Sequence, residues 1–185
     1  MKEKIREEII KKRRDLSKNE VLEKSKLILN QLIKMDEFKQ ASTILFYISY
    51  DNEVLTHDII REYISVKNVI VPVTDVQNKN LILSKLENWD NLKVGVYQIL
   101  EPRKEKMINV SIDDIDIVIL PGVGFDEYGN RVGHGKGYYD NLLKEIKNAL
   151  FVGLAFEFQI VRYIPSNIND TPVDLIITEN RIIKC

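Results

Sequence analysis

Apolar positions fall at two different periods along this chain, and the switches between them mark out its elements. Ile5, Ile9 and Leu16 lie on one stripe at helical spacing, so residues 2–15 read as a helix. Lys2, Arg6 and Arg13 form a basic stripe beside it, within roughly 40° of one another at ~100° per residue. Ser17-Lys-Asn-Glu20 matches a capping box and opens a second helix, to about Met35, with Val21, Ile28, Leu29 and Leu32 inward. Thr43 to Ser49 is rich in β-formers and reads as a strand. A turn at Asp51-Asn52 and a helical segment from Thr56 to Ser65 follow.

Asn68 to Val73 reads as a short buried strand, and Leu81 to Leu86 as a weaker one beyond the polar loop 74–80. Residues 87–112 read as irregular, punctuated by Gly95 and Pro102. Ile115 to Leu120 is the clearest core strand, because β-branched residues dominate it. Tyr139, Leu142, Leu143 and Ile146 recur at i, i+3, i+4, i+7 and predict a helix. Leu150 to Phe156 is a further strand, and Val173–Thr178 with Arg181–Lys184 suggests a closing hairpin around Glu179-Asn180. Strands alternating with helices predict a single α/β domain spanning residues 1–185, a Rossmann-like three-layer sandwich with a mainly parallel sheet. Such sheets bind ligands beyond the carboxyl ends of their strands, so the post-strand segments 50–53, 121–136 and 157–162 are expected to converge on one crevice.

Composition narrows the classes. A length of 185 residues, 44% apolar and 30% charged, suits one core. A net charge of −1 gives no global pull toward nucleic acid or an anionic membrane. Cys185 is the only cysteine, and His57 and His134 stand far apart, so neither a disulfide frame nor a zinc cluster is expected. The charged N-terminus lacks a signal-peptide core, and no window nears ~18 apolar residues. The expectation is a soluble cytoplasmic monomer.

The chemistry concentrates in one stretch. Six of the eight glycines fall within residues 122–137, after the core strand and before a helix. Glycine allows positive φ and close approach of backbone N–H groups, and Arg131 and Lys136 add cations, a combination suited to phosphate. The loop is neither a mononucleotide P-loop, since Gly137 and Tyr138 follow Lys136, nor the dinucleotide fingerprint, since Gly133, Gly135 and Gly137 are spaced G-x-G-x-G. Tight packing alone is the competing account of these glycines. Asp140, in the first turn of the next helix, suits either a dipole-capping role or a magnesium site with Asp174 as second carboxylate. The Lys2/Arg6/Arg13 stripe is either a solvated face or a means of neutralising a triphosphate. Glu53 and His134 are surface residues or substrate contacts. Tyr50 and Tyr138 sit at loop positions from which a ring can stack on a heterocycle.

The segment Leu120-Pro-Gly-Val-Gly-Phe-Asp-Glu-Tyr-Gly-Asn-Arg-Val-Gly-His-Gly-Lys-Gly-Tyr-Tyr-Asp140 closely resembles the signature of the 5-formyltetrahydrofolate cyclo-ligase family. The opening Lys2-x-x-x-Arg6, Phe46-Tyr-Ile-Ser-Tyr-Asp-Asn-Glu53-Val, Gly95, Glu101-Pro102 and Val173-Asp174 are similar to further landmarks of that family, in order along the chain.

The resemblance implies conversion of 5-formyltetrahydrofolate to 5,10-methenyltetrahydrofolate with hydrolysis of Mg-ATP to ADP and phosphate. It implies ATP binding by Lys2, Arg6, Arg131, Val132, Gly133, His134, Gly135, Lys136, Gly137, Tyr138 and Tyr139, with Arg131 and Lys136 the catalytic cations. It implies folate contacts from Glu53, His134, Gly135, Lys136, Gly137 and Tyr138, and Mg²⁺ on Asp140 and Asp174. His134 departs from the aromatic or arginine that relatives often carry, and its role is left open. The alternatives are a sugar-phosphate isomerase or CoA-transferase-like protein using the loop for an anion, and a non-catalytic ligand-binding module.

Overall fold

The computed structural model describes residues 1–168 and 170–185. Helix α1 (Lys2–Arg14) is followed by α2 (Lys18–Leu32), a short α3 (Asp36–Gln40) and strand β1 (Thr43–Leu45). Helix α4 (His57–Tyr63) leads to the hairpin β2 (Asn68–Asp75) and β3 (Asn80–Lys85), then to a smaller hairpin, β4 (Leu92–Val94) and β5 (Leu100–Pro102). Strand β6 (Ile117–Leu120) precedes the hairpin β7 (Gly124–Asp126) and β8 (Arg131–Val132) and helix α5 (Tyr138–Glu145). Strands β9 (Leu150–Leu154), β10 (Ile160–Val161), β11 (Leu175–Ile177) and β12 (Ile182–Lys184) follow.

The main sheet has seven strands in the order β12-β11-β9-β6-β1-β2-β3. The inner pairs are parallel, and the edge strands β3 and β12 are antiparallel. Successive residues of a strand face opposite sides, so both faces must be apolar where both are covered. Ile117 and Ile119 pack with Ile44, Val69 and Val152 against Ile28 and Leu32 of α2 and Ile60 of α4. Val118 and Leu120 pack with Leu45, Ile70 and Ile176 against Leu142 and Leu143 of α5. This is the expected three-layer α/β sandwich.

Local signals behave as the sequence predicts where they are strong. Ser17 accepts the Glu20 N–H, and Glu20 Oε2 accepts the Ser17 N–H at 2.8 Å, closing the capping box. Such a cap contributes about 1 kcal/mol. The hairpin around Glu179-Asn180 also forms, with Leu175 opposite Lys184.

Four segments differ from the sequence expectation. Residues 36–40 form α3, which buries Phe38. Regular pairing of β1 stops at Leu45 rather than Ser49, because the backbone of 47–49 turns to the loop at 54–56: Thr56 Oγ1 donates to the Tyr47 carbonyl at 2.7 Å and accepts the Ser49 N–H at 3.0 Å. Residues 87–112 contain the β4–β5 hairpin. The glycine-rich stretch is not all loop, since β7 and β8 pair within it and join β10 in a second, three-stranded sheet.

That second sheet explains α1, which lies outside the sandwich. Ile5 and Ile9 pack on Val123, Val132 and Ile164. Gly124 is what lets the helix sit so close, since a Cβ there would come within 2.6 Å of Ile9 Cδ1. Asp126, fully buried, ties the assembly together: its carboxylate accepts the N–H groups of Tyr128, Asn130 and Ile164.

Candidate active site

Where β1 and β6 end, Tyr47 and Ile48 from one and Pro121 and Gly122 from the other open the floor of a cavity of about 510 Å³. It lies beyond the carboxyl ends of the parallel strands, as the topology predicts. The glycine loop from Arg131 to Asp140 forms one wall. Lys2 and Arg6 of α1 form a second, and Tyr50 and Glu53 a third. The segment 157–162, expected here, does not line the cavity. It acts behind the wall, where Gln159 Nε2 donates to the carbonyls of Gly122 and Val123 at 2.9 and 2.8 Å. Thr74 and Leu81 from the β2–β3 hairpin, with Tyr97, Ile99 and Glu101 from 87–112, supply the far side instead.

The cations are placed by specific bonds. Arg131 is nearly buried, and its Nη2 donates to Asp140 Oδ1 at 2.7 Å. Its guanidinium lies 5.6 Å from the Tyr139 ring centroid, and its Nε has no hydrogen-bond partner among the described residues. Arg6 Nε donates to the Gly133 carbonyl at 2.9 Å, and Arg6 also pairs with Glu3. Lys2 Nζ meets Asp170 Oδ2 at 2.6 Å. Lys136 Nζ sits 3.6 Å from the Tyr97 ring centroid, and the Tyr97 and Tyr138 hydroxyls are 3.4 Å apart. Those contacts make Tyr97 the more acidic phenol, through its bonds to Lys136 and Tyr138, and raise Tyr138 through its bond to Tyr97.

Helix α5 starts where the loop needs it. Gly137, the residue before the helix, has φ +75°, a conformation that costs a side-chain-bearing residue roughly 1 kcal/mol. Tyr138, Tyr139 and Asp140, the first residues after this turn, all line the cavity. Val132 also lines it while packing in the α1 core, and burial, then the charge of Glu53, raises the Tyr139 phenol.

The structure thus brings together Lys2, Arg6, Glu53, the whole run from Arg131 to Tyr139, and Asp140. Glu53 Oε1 faces His134 Nε2 at 3.8 Å. Asp174 is not among them. It stands just before β11, at the amino ends of the parallel strands, and its Oδ2 accepts the Phe151 N–H at 2.8 Å. The expected pairing of Asp140 with Asp174 is therefore corrected: the carboxylates that share the cavity wall with Asp140 are Glu53, Glu101 and Asp170. Desolvation raises the Asp170 carboxyl, but the bonds from Lys2 and the Asn167 N–H, with the nearby charge of Arg131, outweigh it and lower the net value. Tyr97 and Asp170 carried no sequence signal, since each reaches the site from a segment without periodicity.

A profile of the 5-formyltetrahydrofolate cyclo-ligase family matches residues 1–179. The chain belongs to this family. A 5-formyltetrahydrofolate cyclo-ligase of Haemophilus influenzae is 31% identical over 93% of this chain and 94% of its own length. The enzyme of that name from Mus musculus is 30% identical over 95% and 92%. The solution structure of Aquifex aeolicus 5,10-methenyltetrahydrofolate synthetase superposes with a TM-score of 0.88 at 33% identity, covering 99% of this chain and 92% of that one. The family's sequence match runs through α1, the glycine loop and Asp170, the three parts that meet at the cavity.

Proposed function

We infer that this chain catalyses the ATP-dependent cyclisation of 5-formyltetrahydrofolate to 5,10-methenyltetrahydrofolate, releasing ADP and phosphate. The formyl oxygen attacks the γ-phosphorus of ATP, and ADP leaves. N10 then adds to the activated formyl carbon and gives up its proton, and the C–O bond breaks with phosphate as the leaving group. An amide oxygen is a poor leaving group, and phosphorylation removes that obstacle.

The observation that carries this reading is the meeting of Lys2, Arg6, Arg131 and Lys136 with a carboxylate, Asp140, around one cavity. Phosphoryl transfer asks chiefly for positioning and neutralisation of spreading negative charge, and no covalent protein nucleophile. Lys2, Arg6 and the loop 131–139 hold the triphosphate in this reading, with Arg131 and Lys136 stabilising the transferring group. Glu53, His134 and residues 135–138 contact the folate. The donor set fits magnesium: Asp140 and Asp170 would offer hard carboxylate oxygens from the wall of the same cavity, and Mg²⁺ is usually held by one or two carboxylates with substrate phosphates and water. The ion would screen the phosphate charge during transfer.

The reading takes the protein as a monomer acting in the cytoplasm on two small-molecule substrates. No described helix is long and apolar enough to cross a membrane. The deciding experiment mixes purified protein with 5-formyltetrahydrofolate and Mg-ATP and follows the near-ultraviolet absorbance of the conjugated methenyl product. Growth of that band that stops when ATP is omitted is expected. Silence with both substrates present, alongside measurable ligand binding, points to the non-catalytic module.

A further inference from the structure

Arg13 lies seven residues beyond Arg6 on the same stripe of α1, two helical turns and roughly 10 Å along the axis. Arg6 reaches the cavity. Arg13 enters the protein instead: its side chain is 3% exposed, and its Nε and Nη1 have no hydrogen-bond partner among the described residues. A guanidinium cannot shed its charge, so burying one without bonds is costly unless negative charge stands close. Two carboxylates do so, Asp51 Oδ2 at 3.6 Å from Nη2 and Glu53 Oε1 at 4.0 Å from Nη1. The end of α1 also grips the intervening residue, since Asn52 Nδ2 donates to the carbonyls of Arg13 and Leu16 at 2.9 and 3.2 Å.

Glu53 is held at one oxygen and open at the other. Its Oε2 accepts the Tyr50 N–H at 3.0 Å. Its Oε1 makes no bond that short and looks toward Arg13, His134 and the cavity. Tyr47 and Tyr139 are buried phenols close enough that, after burial itself, the charge of Glu53 is the next cause raising both. A carboxylate beside such low-dielectric walls needs a permanent countercharge. His134 is 55% exposed and charged only when protonated, which leaves Arg13.

The geometry points to Arg13 as a positioning residue for the folate side of the reaction, holding the Glu53 carboxylate with Oε1 presented to N–H donors of the reduced pteridine. This rests on the function inferred above. Arg13 touches no substrate and acts through Glu53. Helix α1 then serves both substrates, with Lys2 and Arg6 at one end for the triphosphate and Arg13 at the other for the folate.

The test is steady-state kinetics on the full chain with Arg13→Met, Arg13→Lys, Glu53→Gln and the Arg13→Met/Glu53→Gln double variant. Arg13→Met should raise KM for 5-formyltetrahydrofolate at least about tenfold and move KM for ATP less than about twofold, because loss of a buried charge partner acts locally. Arg13→Lys, which keeps the charge, should recover most of that loss. In the Glu53→Gln background, Arg13→Met should add little. Equal rises in both KM values, or losses that multiply in the double variant, would overturn the assignment and leave Arg13 a structural clamp. If Arg13→Met does not fold, Arg13→Gln carries the same readings. Wild-type turnover separates the two inferences: an inactive wild type removes the function, whereas an active wild type with an unmoved folate KM in the variant removes only the role of Arg13.

Discussion

Arg131 and Asp140 are nine residues apart in sequence and joined Nη2 to Oδ1 at 2.7 Å, across the glycine loop that separates β8 from α5. The bond spans both ends of the loop, so the loop's shape and its charge are set by one pair. A cation held this way keeps one position, which is what the proposed phosphoryl transfer asks of it.

Arg131→Met should lower kcat/KM for ATP by about 10³, the scale on which an arginine stabilises phosphoryl transfer. The melting temperature should fall by only a few degrees, since a hydrogen bond between charged groups contributes about 1.5–3 kcal/mol. Turnover and thermal unfolding measured on one preparation decide it. Activity loss that merely tracks unfolding would return the loop to a packing role.

Asp170→Asn and Asp174→Asn should behave oppositely, although the residues are only four apart. Asp170→Asn should raise the Mg²⁺ concentration needed for half-maximal activity, as should Asp140→Asn. Asp174→Asn should leave the magnesium titration unmoved and cost about 1 kcal/mol of stability, by weakening the bond that accepts the Phe151 N–H. A magnesium shift in the Asp174 variant would reinstate that residue as the ligand.

Acid should loosen the contact between α1 and the segment at Asp170. The Asp170 carboxyl is lowered below its ordinary 3.8 on folding, so it binds its proton less readily in the native state. Its contribution is fully present above that value and is lost as pH falls through the lower native one. Asp170→Asn should therefore flatten the stability-versus-pH curve below about pH 4, relative to wild type. Chemical denaturation at several acidic pH values checks this, and parallel curves would count against it.

Gly124→Ala should push α1 off the second sheet, because the new methyl would meet Ile9 Cδ1 at 2.6 Å and Ile9 is buried. Overpacking of this kind costs about 1–3 kcal/mol. Lys2 and Arg6 ride on that helix, so KM for ATP should rise as stability falls. An unchanged KM would show that the helix adjusts without moving its cations.

The main sheet was legible in the sequence because buried parallel strands leave runs such as Ile117–Leu120, and the capping box and the closing hairpin were legible because their signals are local. The β4–β5 hairpin was not. Its strands are three residues each, and Gly95 and Pro102 read as punctuation. The second sheet hid inside the glycine loop for the same reason, since β8 is only two residues long.

The sequence by itself determined the sandwich, the glycine loop with Arg131 and Lys136, and the side of the sheet on which the cavity opens. Only the tertiary structure decided which distant groups face that loop. Asp170 reaches the cavity and Asp174 the opposite edge, because β11 begins directly after Asp174 and pins it at the amino ends of the strands, whereas Asp170 lies in the segment before it; two aspartates four residues apart share no local signal that tells which end they serve. Arg13 leaves the solvent-facing stripe for the same kind of reason: the 50–53 turn closes over it, and closure by a segment nearly forty residues away leaves no mark on the helical period.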